Sequence, residues 1–224
     1  EWTIGGSDRM HKRPIGPLVK CLNELGADIS YIGEKNHPPL KIIGSSLSGG
    51  EIEIRGDISS QYISALLMIA PTLKNGLKIN ITSKVLSKPY IQMTLSLMGQ
   101  MGIKYLWKNN QITIKSQQYK CKDFVVENDW SGASFWYSFA ALSTNANIEI
   151  PLLFNNSIQG DSQLQKIYKK LGVSTVFLEN KIIIKKFKKA ENNIKLDLSD
   201  YPDIALPIIT TCAGLGIEAF LYGL

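Results

Sequence analysis

Apolar positions along the chain follow a helical period in some segments and an alternating one in others, and the change of period recurs. Ile15, Leu18, Val19, Leu22 and Leu25 fall at helical spacing behind Pro14, a residue suited to a first turn, and Gly26 supplies the left-handed stop. The arrangement returns with Ile91, Leu95 and Met98 between Pro89 and Gly102, and with Leu164, Ile167, Tyr168 and Leu171 between Asp161 and Gly172. Behind the last two glycines lie paired strand-like runs joined by polar turns: 103–107 with 111–115 around Asn109-Asn110, and 173–178 with 181–187 around Glu179-Asn180. Each amphipathic helix therefore feeds a strand.

A second helix alternates with this one. Asp57-Ile58-Ser59-Ser60-Gln61-Tyr62, Asp129-Trp130-Ser131-Gly132-Ala133-Ser134 and Asp200-Tyr201-Pro202-Asp203-Ile204-Ala205 each place an aspartate and a short turn before a strongly apolar helix, the aspartates standing 72 and then 71 residues apart. Strands at 77–82 and 146–150 separate the two helices. The repeating unit reads β-α-β-α-β-β: a partial copy to about Ser46, whole ones over 49–116 and 121–189, and a truncated last one. Helix 59–70 is apolar nearly all round, which suits a central buried position. Copies stacked about a pseudo-threefold axis would put such helices inside and the sheets outside, an inside-out α/β barrel.

Composition narrows the function. Hydrophobic residues at 44% and charged residues at 20% are those of a soluble globular protein, and no apolar run reaches a membrane span of roughly 18 residues. Cys21, Cys121 and Cys212 are odd in number and widely spaced, with only His11 and His37 as imidazole partners, so neither a disulfide framework nor a metal site is expected. We expect a cytoplasmic protein, and both ends of the chain, Glu1-Trp2-Thr3 and the apolar run to Leu224, look internal to something longer. Charge is uneven: residues 1–126 hold 16 Lys and Arg against 9 Asp and Glu, and residues 127–224 hold 9 against 10. The basic half suits anions. Small phosphorylated or carboxylated substrates fit at least as well as nucleic acid, because the lysines are scattered. The one basic run, 181–189, alternates with isoleucines as an exposed strand face does.

Several motifs can carry chemistry, and each has a plainer structural role beside it. Ser59, Ser60 and Gln61 occupy the first turn of a buried helix, where backbone N–H groups and hydroxyls suit a phosphate, although one serine would serve as an N-cap. Ser87-Lys88-Pro89-Tyr90-Ile91 forms a second serine-bearing helix start, or simply a cap with proline behind it. Arg13, in Arg9-Met10-His11-Lys12-Arg13-Pro14, offers a planar guanidinium to a carboxylate or phosphate, or is one charge of a solvated basic turn; His11 reads as a surface residue. Asp203 stands where a carboxylate could take a proton from a sugar-like hydroxyl, or merely favour a helix N-terminus.

Arg9-Met10-His11-Lys12-Arg13-Pro14-Ile15, Gly56-Asp57-Ile58-Ser59-Ser60-Gln61-Tyr62, Ser87-Lys88-Pro89-Tyr90-Ile91, Ser157-Ile158-Gln159-Gly160-Asp161 and Tyr201-Pro202-Asp203, taken in this order, resemble the 5-enolpyruvylshikimate-3-phosphate synthase family over the whole chain. The resemblance implies two domains of three units each, with residues 1–124 forming the latter half of the first, shikimate 3-phosphate-binding domain and 125–224 the opening half of the second. It also implies a 3-phosphoshikimate 1-carboxyvinyltransferase, monomeric when full length, that uses shikimate 3-phosphate and phosphoenolpyruvate and needs no metal or organic cofactor. By the same resemblance Ser59, Ser60 and Ser87 hold the shikimate phosphate, Gln61 and Tyr90 lie at its ring, Arg13 binds phosphoenolpyruvate, and Asp203 engages the attacking hydroxyl.

The family's N-terminal lysine and arginine, its Gly-rich segment and the lysine-glutamate and arginine positions after Leu224 fall outside the chain, so the isolated chain is expected to be inactive. Gly223 stands where the family carries an asparagine. The sister transferase acting on UDP-N-acetylglucosamine shares the repeat but typically has a cysteine before the arginine-proline motif, where this chain has none between Gly5 and Lys12. A nucleic-acid-end enzyme or binder built from similar units is a third reading; the late histidine nucleophile and the stacking aromatics it needs are not evident.

Overall fold

The computed structural model describes all 224 residues. Contacts divide them into two compact units, one of residues 1–86 and 94–122, the other of residues 87–93 and 123–224.

The first unit opens with β1 (Trp2–Ile4), the short α1 (Asp8–His11), α2 (Gly16–Glu24), β2 (Asp28–Tyr31) and β3 (Leu40–Ile43). The three strands form an antiparallel sheet in the order β1-β3-β2. A complete repeat follows: β4 (Gly50–Ile54), α3 (Ser60–Ile69) with a 3-10 turn (Ala70–Thr72), β5 (Leu77–Ile81), α4 (Lys88–Gln100), β6 (Tyr105–Lys108) and β7 (Gln111–Ile114). Its sheet runs β4-β5-β7-β6, parallel between β4 and β5 and antiparallel elsewhere. Register explains the alternation. Ile52, Ile79 and Ile112 are paired across three strands and all buried, while on the opposite face Glu51 meets Lys78 at 3.0 Å and Asn80 links Glu51 to Gln111. Ile63, Leu66 and Leu67 of α3, Val19 of α2 and Leu25 just after α2 are buried as well.

The second unit contains residues 88–93 of α4, then α5 (Trp130–Leu142), β8 (Asn147–Pro151), a 3-10 turn (Gly160–Gln163), α6 (Leu164–Lys170), β9 (Val173–Phe177) and β10 (Lys181–Lys186). β11 (Asn193–Asp197), a 3-10 turn (Pro202–Ile204), α7 (Ala205–Leu215) and β12 (Glu218–Tyr222) close the chain. β8, β10 and β9 form an antiparallel sheet, and β11 pairs with β12 in parallel. The core gathers Trp130, Tyr137, Leu153, Tyr168, Ile182, Ile184, Ile194 and Ile208. A polar network crosses it: the Tyr168 hydroxyl meets Ser138 Oγ at 2.7 Å and Thr211 Oγ1 at 3.0 Å, tying α6 to α5 and α7.

The stop glycines Gly26, Gly102 and Gly172 all have positive φ, at 105°, 84° and 85°. At Gly172 a Cβ would lie 2.3 Å from the Lys188 carbonyl oxygen, so the position excludes a side chain as well as a negative φ. Two expectations need correction. The repeat from Cys121 has no leading strand: residues 115–129 are irregular, with Val125 and Val126 exposed, and Asn128 instead donates to the carbonyls of Pro151, the last residue of β8, and Leu152. The apolar helices are also not enclosed on all sides. Met68 on α3 and Phe135, Trp136, Phe139 and Leu142 on α5 are exposed.

Candidate functional site

Of the residues singled out by sequence, Arg13, Ser59, Ser60 and Gln61 belong to the first unit, and Ser87, Tyr90 and Asp203 to the second. In the first unit Ser59 holds the N-cap position of α3 with extended backbone, yet its hydroxyl makes no capping hydrogen bond, and the plain structural role is not taken up. Arg13 is exposed on the turn after α1, and that turn is anchored from both sides: Ile15 N–H donates to the Asn36 carbonyl at 2.8 Å, and the Tyr62 hydroxyl on α3 donates to the Pro14 carbonyl. Burial raises the Tyr62 phenol above its ordinary pKa, and the nearby Arg13 charge opposes the rise. His11, at the end of α1, accepts the Gly6 N–H at 3.3 Å.

Two of the repeat aspartates, Asp57 and Asp129, are not equivalent. Asp129 caps α5, accepting from Ser131 N–H at 2.8 Å. Asp57 is gripped by Arg55 at 2.9 and 2.7 Å and by Ser83 Oγ at 2.9 Å, and those bonds, Arg55 first, hold its carboxyl well below the usual carboxylate range.

In the second unit Ser87 takes φ 52°, a left-handed conformation uncommon for a residue with a side chain, and is held there by its N–H to the Ser199 carbonyl at 3.2 Å. The turn after it directs Tyr90 to Asp161, whose two carboxyl oxygens accept the phenol at 3.0 and 3.2 Å. Gly160 makes this approach possible, since a Cβ there would lie 2.4 Å from Pro89 Cβ. Ser131 at the start of α5 donates to the same carboxyl, and Asp203, exposed on the turn before α7, also reaches the Tyr90 hydroxyl. Burial, then the charges of Asp161 and Asp203, drive the Tyr90 pKa far above a phenol's ordinary value. Sequence reasoning placed neither Asp161 nor Ser131 in the site, although both lie inside motifs it had marked: the first ends Ser157-Ile158-Gln159-Gly160-Asp161, and the second follows the repeat aspartate.

Gly223 has φ 80°, and a Cβ would meet Ser199 Oγ at 2.2 Å and Asp197 Oδ1 at 2.7 Å, so the position where the family pattern has asparagine is shaped here for glycine. No group of three or more His, Cys, Asp and Glu side chains comes together as metal ligands do, and no helix is long and apolar enough to cross a membrane.

The family model described as EPSP synthase (3-phosphoshikimate 1-carboxyvinyltransferase) matches residues 1–223. A protein of Bacteroides fragilis (strain YCH46) named 3-phosphoshikimate 1-carboxyvinyltransferase is 47% identical over 223 residues, 99% of this chain and 54% of that protein. One of the same name from Marinomonas sp. is 39% identical over 214 residues, 94% of this chain and 50% of its own length. Among solved structures, EPSP synthase from Acinetobacter baumannii superposes with a TM-score of 0.67 at 19% identity, covering 92% of this chain and 47% of that one. The enolpyruvyl transferase NikO from Streptomyces tendae gives 0.65 at 11%, covering 95% and 53%. These two share the enolpyruvyl transferase fold of repeated α/β units. The chain spans about half the length of the curated relatives it matches. It belongs to the EPSP synthase (3-phosphoshikimate 1-carboxyvinyltransferase) family.

Proposed function

We propose that this chain supplies part of a 3-phosphoshikimate 1-carboxyvinyltransferase, which moves the enolpyruvyl group of phosphoenolpyruvate to the 5-hydroxyl of shikimate 3-phosphate. The observation that carries the reading is the family match over residues 1–223, made to relatives that bear this name. Residues 1–124 are the latter half of the shikimate 3-phosphate-binding domain and 125–224 the opening half of the second. Ser59, Ser60 and Ser87 hold the substrate phosphate, Gln61 and Tyr90 lie along its ring, and Arg13 takes phosphoenolpyruvate. The uncapped start of α3, the anchored Arg13 turn and the left-handed Ser87 support these roles.

Asp203 is the group that receives the proton of the attacking hydroxyl. The hydroxyl oxygen adds to the enol carbon while the methylene gains a proton. Loss of a methyl proton and departure of phosphate then restore the double bond as a carboxyvinyl ether. Neither metal nor organic cofactor is required, and the protein acts on small molecules as a cytoplasmic monomer, with no nucleic-acid or membrane partner.

The test is phosphate release by the full-length protein. Shikimate 3-phosphate with phosphoenolpyruvate supports turnover, and UDP-N-acetylglucosamine in its place does not; the reverse pattern would sink the reading. Asp203→Asn lowers kcat on the order of a hundredfold, the scale of a lost general base, and near-normal turnover removes Asp203 from this role. The 224-residue chain alone releases no phosphate, because positioning and charge stabilisation need the complete ring of donors.

A further inference from the structure

Asp161 is 2% exposed and has no part in the reaction as described above. Three elements bring donors and competitors to it: the first turn of α4 delivers Tyr90, the first turn of α5 delivers Ser131, and the turn before α7 brings Asp203 within reach of the Tyr90 hydroxyl. A phenol has one proton to donate, and here two carboxyl groups compete for it. We propose that Asp161 is a positioning residue that draws the Tyr90 proton to itself and so leaves the Asp203 carboxylate open to accept the proton of a substrate hydroxyl.

The inference rests on the proposed role of Asp203, and the geometry favours Asp161 in the competition. Both of its oxygens lie within reach of the phenol, Ser131 adds a second donor that supports the ionised form, and burial strengthens hydrogen bonds that water would weaken. Asp203 is exposed, and water can satisfy its charge. The groups facing Asp161 are Tyr90 from α4, Asp129 and Ser131 from the start of α5, and Tyr201 and Asp203 from the turn before α7. Burial, then the Asp203 and Asp129 charges, raise its pKa, against the lowering effect of Ser131 and Tyr90. Once Asp161 takes up a proton it no longer attracts the phenol, which turns to Asp203 and occupies the base. Asp161 therefore contributes to the acidic limb of the rate profile.

The experiment follows phosphate release by the full-length protein against pH for the unaltered enzyme, Asp161→Asn, Ser131→Ala and Asp203→Asn. Asp161→Asn lowers kcat on the order of tenfold while KM for shikimate 3-phosphate stays within about twofold, and its acidic limb falls to the slope of a single proton. Ser131→Ala, a small change at a half-buried helix start, moves the acidic limb to higher pH, since losing a donor disfavours the carboxylate. Asp161→Asn with unaltered kcat and profile, or Ser131→Ala with an unmoved acidic limb, overturns the proposal. If Asp203→Asn turns over normally, the underlying role of Asp203 fails and this inference with it. If Asp203→Asn is inactive while the Asp161 and Ser131 variants behave as the unaltered enzyme, only the positioning proposal falls.

Discussion

Two aspartates show how one residue type acquires opposite thermodynamic roles. Asp57, held by Arg55 and Ser83, has a depressed pKa, so it adds stability above the ordinary carboxyl range and loses it as pH falls through that range. Asp161 is raised by burial, so the folded state holds a proton that the unfolded chain has released, and stability declines as pH climbs from about 4 through its folded value. In urea titrations of the chain, Asp57→Asn should therefore make acid unfolding less steep, while Asp161→Asn should abolish the decline on the alkaline side of about pH 4. Identical pH dependence in either variant and the unaltered chain contradicts the corresponding assignment. Sequence marked Asp57 and Asp129 as turn residues and passed over the burial of Asp161. Burial of a carboxyl depends on three elements meeting around it, which no local pattern records.

At the scale of elements, the helix positions and their stops were legible because each rests on local chemistry: apolar spacing, proline in the first turn, glycine at the end. Helices α2, α4 and α6 and hairpins β6-β7 and β9-β10 lie where those signals put them. The strand expected after Cys121 was not legible as absent, since Phe124, Val125 and Val126 have the composition of a strand yet pair with none. The network joining α5, α6 and α7 was equally silent, because Ser138, Tyr168 and Thr211 converge only through tertiary packing. Tyr168→Phe removes the shared hydroxyl and should cost about 1 kcal/mol, with Ser138 and Thr211 retaining backbone acceptors on Pro207. Thr211→Val in the same background should then cost less than it does alone, a coupling that a double-mutant cycle of chemical denaturation would read. Strict additivity would mean the three hydroxyls do not act together.

At the scale of the molecule, the repeat predicted that apolar helices of several copies bury one another, and the second unit leaves part of its apolar helix faces exposed. Phe135 is 63% exposed, Trp136 54% and Phe139 62% on α5, and on α7 Leu206 is 64% exposed. The two helices pack together, so these side chains fall within one packed helix pair rather than scattered singly. Each such aromatic removed from water is worth on the order of 2 kcal/mol, enough for a few together to drive association at modest concentration. The isolated chain should accordingly sediment as a concentration-dependent mixture of monomer and larger species. Replacing Phe135, Trp136 and Phe139 with serine should shift that mixture toward monomer without loss of helical content, because none of the three belongs to the core of Trp130, Tyr137, Tyr168 and Ile208. A chain that sediments as a single monomer at every concentration, or a triple variant that associates as strongly as the original, would show that these faces do not drive association.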